Sequence, residues 1–335
     1  MSKEKVYVGI DLHKRSFSFV MLSVSGEKLA EGKRATSLEA VCDFASRLDH
    51  RHEVTLEPLE DCYWFMDQLR PYVASLHLAN SGKVRLIAES RLKNDRVDAR
   101  ILADLLRVGY LPEVYIPNYT LREWRCLVSH RIRLVRDRTR IKNRILGLLN
   151  RAGHRIAAAD PFGKKGRQQL DGLELPPSLR AMVDDHLTHL DLLTAQIARQ
   201  EGKIAQIAGG DAIVQMLTTI DGIGEFTGVA IRAIVGEMAR FRSVKAFGAY
   251  TGLIPGYRCS ADTVRNGPIT KQGNSTLRWL LIQAVPHAIR HSDYLKRLYY
   301  RVCLRSSVGK AKVAVAHALA RIIYHVWTEA RPYYR

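Results

Sequence analysis

Residues 6–11 run Val6-Tyr7-Val8-Gly9-Ile10-Asp11, a nearly unbroken apolar stretch closed by an acid, which is the pattern of a buried strand. Residues 16–24 alternate less cleanly and predict a second strand. Ser25-Gly26-Glu27 predicts a turn, and residues 28–36 a third strand. Thr36 or Ser37 then caps a helix that runs to Leu48. His52-Glu53-Val54-Thr55-Leu56-Glu57 is a further strand, again ending in an acid and followed by Pro58. Residues 61–72 fit a helix, residues 75–79 a short strand, and the segment from Asp95 to Leu106 an amphipathic helix. The order is three strands, helix, strand, helix, strand, helix. It predicts an α/β fold with a ribonuclease H-like sheet, whose first three strands are antiparallel and whose later strands are parallel.

From Leu121 the period changes. Leu121, Trp124, Val128, Val135, Ile141, Ile145 and Leu148 recur at helical spacing. Residues 153–177 are loop-like and rich in Gly and Pro. From Ser178 a second long helix carries Val183, Leu187, Leu190, Ile197, Ile204 and Ile207. Two long helices joined by a loop predict an antiparallel coiled-coil hairpin. Gly209-Gly210 reads as a boundary. Beyond it lies a mostly α-helical region, with an apolar Gly222-Ile223-Gly224 turn of helix-hairpin-helix type. Residues 252–275 read as loop or short strand, leading into a helix over 276–284. The predicted division is a ribonuclease H-like domain at 1–117, a basic coiled-coil hairpin at 118–208, and a C-terminal domain at 209–335.

Charge sharpens the picture. The 335 residues hold 52 Lys+Arg against 33 Asp+Glu, a formal net charge of +19. Such an excess implies a polyanionic partner. The five cysteines are scattered, odd in number and without CxxC spacing, which points to reduced thiols, a cytoplasmic setting and no zinc site. No signal peptide and no uncharged stretch of membrane-spanning length is evident, so a membrane is not an expected partner.

Against this background four acids stand out. Asp95 and Asp98 share a helix face at i and i+3, where two carboxylates repel unless a cation lies between them. Either acid is also at home at a helix start, where the macrodipole favours it. Asp11 and Glu57 end the first and fourth strands. In a ribonuclease H-like fold metal-binding acids occupy these places, and two-metal phosphoryl chemistry needs such a cluster, with Mg²⁺ the natural occupant. On the first long helix, Arg131, Arg133, Arg136, Arg138 and Arg140 either track a nucleic-acid backbone or form a solvated face. Gly222 and Gly224 either admit a phosphate to a helix N-terminus or make a tight helix–helix turn. Further on, Arg258, Arg265, Lys271 and Arg278 surround Ser260 in sequence and suit phosphate binding, although composition alone rarely makes a loop serine catalytic.

The chain resembles the DEDD transposases of bacterial insertion sequences, the family that includes the pilin-gene DNA invertases. The resemblance rests on Gly9-Ile10-Asp11, Glu57 and Asn94-Asp95-Arg96-Val97-Asp98-Ala99-Arg100. Further on it rests on Ile220-Asp221-Gly222-Ile223-Gly224, residues 247–255, Ser260 and Ile269-Thr270-Lys271-Gln272-Gly273-Asn274. It implies a RuvC-like first domain joined by a coiled coil to a small helical transposase domain, in a bacterial recombinase of cytoplasmic location that acts on donor and target DNA. Ser260 would form a covalent phosphoserine bond, and Asp11, Glu57, Asp95 and Asp98 would bind Mg²⁺ in a site possible between subunits of a homo-oligomer. A structured noncoding (bridge) RNA would read sequence by base pairing. Members commonly have a small Ala-Thr-Gly-like turn after the second acid. Here the turn is Pro58-Leu59-Glu60-Asp61, which makes Glu60 an alternative to Glu57. After the serine many members have Gly, and here Ala261 stands. The competing reading is a metal-dependent nuclease of the Holliday-junction resolvase type, with water as nucleophile; a third is a non-catalytic nucleic-acid scaffold resting on charge alone.

Overall fold

The structure is a computed structural model that describes residues 4–59, 62–87, 95–260 and 263–334, with the backbone alone at 257–260 and 263–266. Contacts divide the chain into two compact units, one through Ile116 and one from Pro117.

The first unit is built from β1 (Val6–Leu12), β2 (Ser16–Leu22), β3 (Lys28–Ala35), α1 (Leu38–Ser46), β4 (His52–Leu56), α2 (Cys62–Leu69), β5 (Ser75–Leu78), α3 (Ser81–Ile87) and α4 (Asp95–Arg107). The sheet order is β3-β2-β1-β4-β5. β1 pairs antiparallel with β2, and β2 with β3; β1 pairs parallel with β4, and β4 with β5. These directions agree with the pattern of the sequence. α3 does not appear in that pattern, because its seven residues are too few to show a period; the Asn80 side chain starts it by accepting from the Lys83 N–H at 3.2 Å.

Strand alternation separates the two faces of this sheet. Val8, Ile10, Leu12, Phe17 and Phe19 point to one side, where they bury against Val41 and Phe44 of α1 and Phe65 and Met66 of α2. Phe44 lies edge-on to Phe17, with ring centroids 5.2 Å apart. The opposite face carries Gly9, Val20 and Leu22, and here α4 crosses with Ala99 and Ala103 toward the sheet. The approach is as close as backbones allow. A methyl group at Gly9 would collide with the Ala99 carbonyl and stand 2.6 Å from the Ala103 nitrogen.

The second unit comprises α5 (Tyr119–Arg151), α6 (Lys164–Asp171), α7 (Pro177–Gly210), α8 (Ala212–Thr218), α9 (Glu225–Val235), α10 (Val244–Thr251), β6 (Pro255–Ser260), β7 (Thr263–Ile269), α11 (Ser275–His291), α12 (Asp293–Arg305) and α13 (Val308–Thr328). α5 and α7 pack against each other in opposite directions. The far end of the pair holds Ile145, Leu149, Val183 and Leu187. At the near end, Val128, Ile132, Ile204 and Ala208 join one core with α8, α9, α11 and α13.

Three expectations change in this unit. α6 forms inside the stretch that reads as loop, because its short amphipathic turn buries Leu170 against the hairpin. Gly209-Gly210 still belongs to α7, and the break falls at Asp211, which ends α7 and caps α8 by accepting from the Val214 N–H at 2.9 Å. α11 runs past the expected end at 284 to His291, through Pro286. A proline removes one helical donor, but Leu277, Leu281, Val285 and Ala288 anchor the helix along one buried side.

Substituting Gly9→Ala is expected to destabilise the protein by about 1–3 kcal/mol, the range for overpacking a rigid contact. The measurement is the denaturant midpoint together with hydrogen exchange of the α4 amides. Unchanged protection of α4 in the variant would mean that the close approach is not required.

Candidate active site

The residues beside the β1–α4 contact form an ordered array. On β1, Gly9 and Asp11 face α4, and His13 follows two residues beyond Asp11. On α4, Asp95, Ala99 and Ala103 follow one another at intervals of four, along one helix face. The helix ladder therefore runs beside the strand ladder. With Ala99 and Ala103 seated on Gly9, Asp95 is carried one turn further, to Asp11 and His13.

The distances bear this out. His13 Nε2 lies 3.0 Å from Asp11 Oδ2 and 3.6 Å from Asp95 Oδ1. The His13 backbone is held on both sides: its N–H donates to Ser16 O at 2.9 Å, and its carbonyl accepts from Thr36 Oγ1 at 2.9 Å. Lys33 enters from across the sheet. Asp11 pairs with Ser18, and Ser18 with Lys33, so the three residues share a row and a face. The Lys33 ammonium donates to Asp95 Oδ2 at 2.8 Å.

Electrostatics distinguish the two acids. Burial pushes the Asp11 carboxyl above its ordinary pKa; His13 opposes the shift, and the charges of Asp95 and Asp98 add to it. Asp95 is held below its ordinary value, chiefly by the hydrogen bond from Lys33. Ser18, beside Asp11, is fully buried, and its Oγ has no hydrogen-bond partner among the described residues. One donor atom from each of Asp11, His13 and Asp95 lies within 4.8 Å of the others. Two carboxylates and an imidazole at such spacing, one carboxylate disfavoured by its own neighbours, fit a divalent cation.

Glu57 directly follows Leu56, the partner of Ile10, so its backbone stands at the end of β4 next to Asp11. Asp98 is exposed on the first turn of α4. Neither belongs to the close trio, although the Asp98 charge is felt at Asp11. Glu60 lies outside the described residues, as do the side chains of Ser260 and Arg265.

In the second unit, the Ser260 backbone ends β6, paired with Thr263 of β7. The root of this two-stranded ribbon is clamped. Thr270 N–H donates to Ile254 O at 2.9 Å, Lys271 N–H to Gly252 O at 3.2 Å, and Asn274 N–H to Tyr250 O at 2.8 Å. Lys271 and Gly273 adopt positive φ to make the turn, and a methyl group at Gly273 would strike the Tyr250 carbonyl. Arg278 bridges the clamp by donating to Thr251 O at 3.3 Å and Lys271 O at 3.2 Å. Its guanidinium is thus at least partly structural. Gly222 has φ +88°, and a methyl group there would stand 2.8 Å from Ala284 O and Ala288 N of α11, so packing demands this glycine. At Gly224 a methyl group would meet nothing, and α9 begins directly after it.

On α5, Arg133, Arg136 and Arg140 are exposed and Arg138 is half-buried. Arg131 differs. It pairs with Glu201 of α7 at 2.5 Å and lies over the Phe226 ring, 4.2 Å from its centroid. Arg140 pairs with Asp137 at 2.7 Å.

Residues 8–153 match the DEDD_Tnp_IS110 family, described as a transposase, and residues 214–301 match the family described as Transposase IS116/IS110/IS902 family. A probable family 20 transposase of Pseudomonas aeruginosa is 30% identical over 256 residues, covering 72% of this chain and 76% of the relative. The chain belongs to the IS110/IS116 transposase family. The transposase is also similar to that of insertion sequence element IS1111A from Coxiella burnetii, 27% identical over 72% of this chain and 68% of the relative. The transposase of element IS1328 from Yersinia enterocolitica is 25% identical over 96% of each chain. This transposase is therefore a DNA-cleaving and strand-transferring enzyme, and its family uses divalent metal.

Sequence reasoning missed His13 and Lys33. The signal for His13 was its place two residues past Asp11, just beyond the end of β1; Lys33 depends on cross-strand register, which no local pattern spells.

Asp11→Asn is expected to raise the thermal midpoint of the transposase in EDTA by a few degrees, because it removes a buried charge from beside two other carboxylates. The same variant is expected to lose the stabilisation that added Mg²⁺ or Mn²⁺ gives the wild type. Thermal melts with and without metal check both halves.

Proposed function

We propose that this insertion-sequence transposase cuts and rejoins DNA through a Ser260–phosphate bond, supported by a ribonuclease H-like metal centre in its first unit. The observation that carries the reading is the convergence of Asp11, His13 and Asp95 at one end of the sheet, with Glu57 and Asp98 beside them. Asp11, Glu57, Asp95 and Asp98 would hold Mg²⁺, and His13 joins the donor set. When bound, divalent cations supply charge stabilisation for a phosphodiester and its leaving oxygen. Asp11 and Asp95 orient the centre because strand and helix fix them.

Ser260 Oγ would attack the scissile phosphorus, forming an O–P bond as the bond to one deoxyribose oxygen breaks. The hydroxyl proton passes to solvent, and the departing oxygen takes one up. The phosphodiester energy is retained in the serine ester, so rejoining needs no ATP. Support comes from the position of Ser260 on a ribbon with a clamped root, within the Ile269–Asn274 motif context that the family resemblance singles out.

Sequence reading falls, in this proposal, to a structured noncoding RNA. The net charge of +19 and the exposed Arg133, Arg136 and Arg140 suit a nucleic-acid backbone rather than base edges. A homo-oligomer and a cytoplasmic location complete the reading; among the described residues no helix is long and apolar enough to cross a membrane. A coiled-coil role for α5 and α7 as a spacer or self-association element belongs to the same proposal.

The metal-dependent nuclease reading retains one specific support: the Asp11–His13–Asp95 trio lies wholly within the first unit. A denaturing gel of protein with labelled element-end DNA separates the two. The recombinase reading expects a covalent adduct that maps to Ser260, is lost in Ser260→Ala, and does not form in EDTA. Equal cutting by wild type and Ser260→Ala without an adduct would falsify it and leave metal-dependent hydrolysis.

A further inference from the structure

α12 meets the rest of its unit through a narrow stripe. Leu295 is its one buried residue. The opposite side carries two ladders at helical spacing: Arg297, Arg301 and Arg305, and beside them Lys296, Tyr300 and Leu304. All six are exposed, Tyr300 at 55% and Leu304 at 89%. They line an open hollow of ≈ 680 Å³ in which Asp293 is the single acid.

None of the four cations has an ion pair among the described residues. On α5 the cations divide: Arg133 and Arg136 are likewise exposed, while others are held within the fold. There Arg131 is held by Glu201 and Phe226, Arg140 by Asp137, and Arg125 by the carbonyls of Ala233 and Ile234 at the end of α9. Three like charges at successive i, i+4 positions repel one another and weaken a helix. The helix macrodipole offsets this only for Arg305, in the last turn. Tyr300 and Leu304 stand exposed between these cations, one offering a ring face and the other an apolar contact.

We propose that this face of α12 binds the phosphodiester backbone of a nucleic-acid strand, with Tyr300 as a stacking platform for a base and Leu304 against a sugar. From Arg297 to Arg305 the helix rises about 12 Å at 1.5 Å per residue. That length spans a few consecutive phosphates of one strand, which the Arg297, Arg301 and Arg305 ladder can neutralise. The surface rests on the action of the family on DNA and not on Ser260 or on a guide RNA, so its test involves no cleavage.

The full-length protein is titrated by fluorescence anisotropy against labelled duplex DNA, single-stranded DNA and a hairpin RNA, at several salt concentrations. The triple variant Arg297→Gln, Arg301→Gln, Arg305→Gln is expected to weaken binding at least about tenfold on one or more of these polymers. The plot of log affinity against log salt should become shallower by about 2–3, at roughly 0.9 per duplex phosphate and 0.7 per single-strand phosphate. The polymer with the largest loss identifies the strand. Tyr300→Ala is expected to cost about tenfold on the single-stranded polymers. Restoring lysine at the three arginine positions should recover the slope. If affinity and slope stay unchanged on all three polymers, the proposal is overturned. Phenylglyoxal modification of the wild-type protein gives a readout free of any folding defect. Nucleic acid should protect Arg297, Arg301 and Arg305, and equal modification with and without every polymer rejects the surface.

Discussion

The first unit depends on a steric allowance at a single position. Because Gly9 has no side chain, the backbone of α4 can lie against the backbone of β1, with Ala99 and Ala103 at the contact. That contact fixes both the depth and the rotation of the helix. Asp95 stands on the same helix face, four residues before Ala99, and so takes its height above the sheet from the alanines, with the ion pair to Lys33 added at 2.8 Å. On the other face Phe17 packs edge-on against Phe44 and Phe65, so the sheet is buried from both sides at this point. A carboxylate that is costly to hold near others is thus held by packing, which is where functional sites commonly spend stability.

Much of this was legible from residue pattern. Asp11 and Asp95 could be found because strand ends and helix starts are local features, and Glu57 could be placed at its strand end for the same reason. His13 lies just past the end of the same strand, two residues beyond Asp11. Lys33 was out of reach, because its place beside Asp95 comes from two successive antiparallel pairings. Arg131 shows the opposite failure. A run of arginines on a helix reads as free charge, but a partner helix supplied Glu201 and the fold supplied Phe226. How little α12 buries is visible only in the structure, where Leu295 is its one buried residue.

The two long helices of the second unit show how a core can change owner along one element. The far halves of α5 and α7 pack only with each other, α6 and the connecting loops, through residues such as Ile145 and Leu187. Their near halves contribute Val128, Ile132, Ile204 and Ala208 to the core of the C-terminal helices. The hairpin is therefore rooted in that core, and Arg131 sits where the two clusters meet, pairing across the helices and covering Phe226.

The ribbon β6–β7 has a mechanical consequence. A two-stranded ribbon has little stability of its own, and its direction is set by its clamp: the carbonyls of Tyr250, Gly252 and Ile254 on one side, the amides of Asn274, Lys271 and Thr270 on the other. Ser260 lies five residues beyond Pro255, a lever arm of about 17 Å at 3.3–3.4 Å per residue. A tilt of a few degrees between α10 and α11 would be magnified into more than an ångström at the serine. Aim at the far end of the ribbon is thus decided by hydrogen bonds at its base, and changes at Gly252, Gly273 or Arg278 would act on Ser260 without touching it.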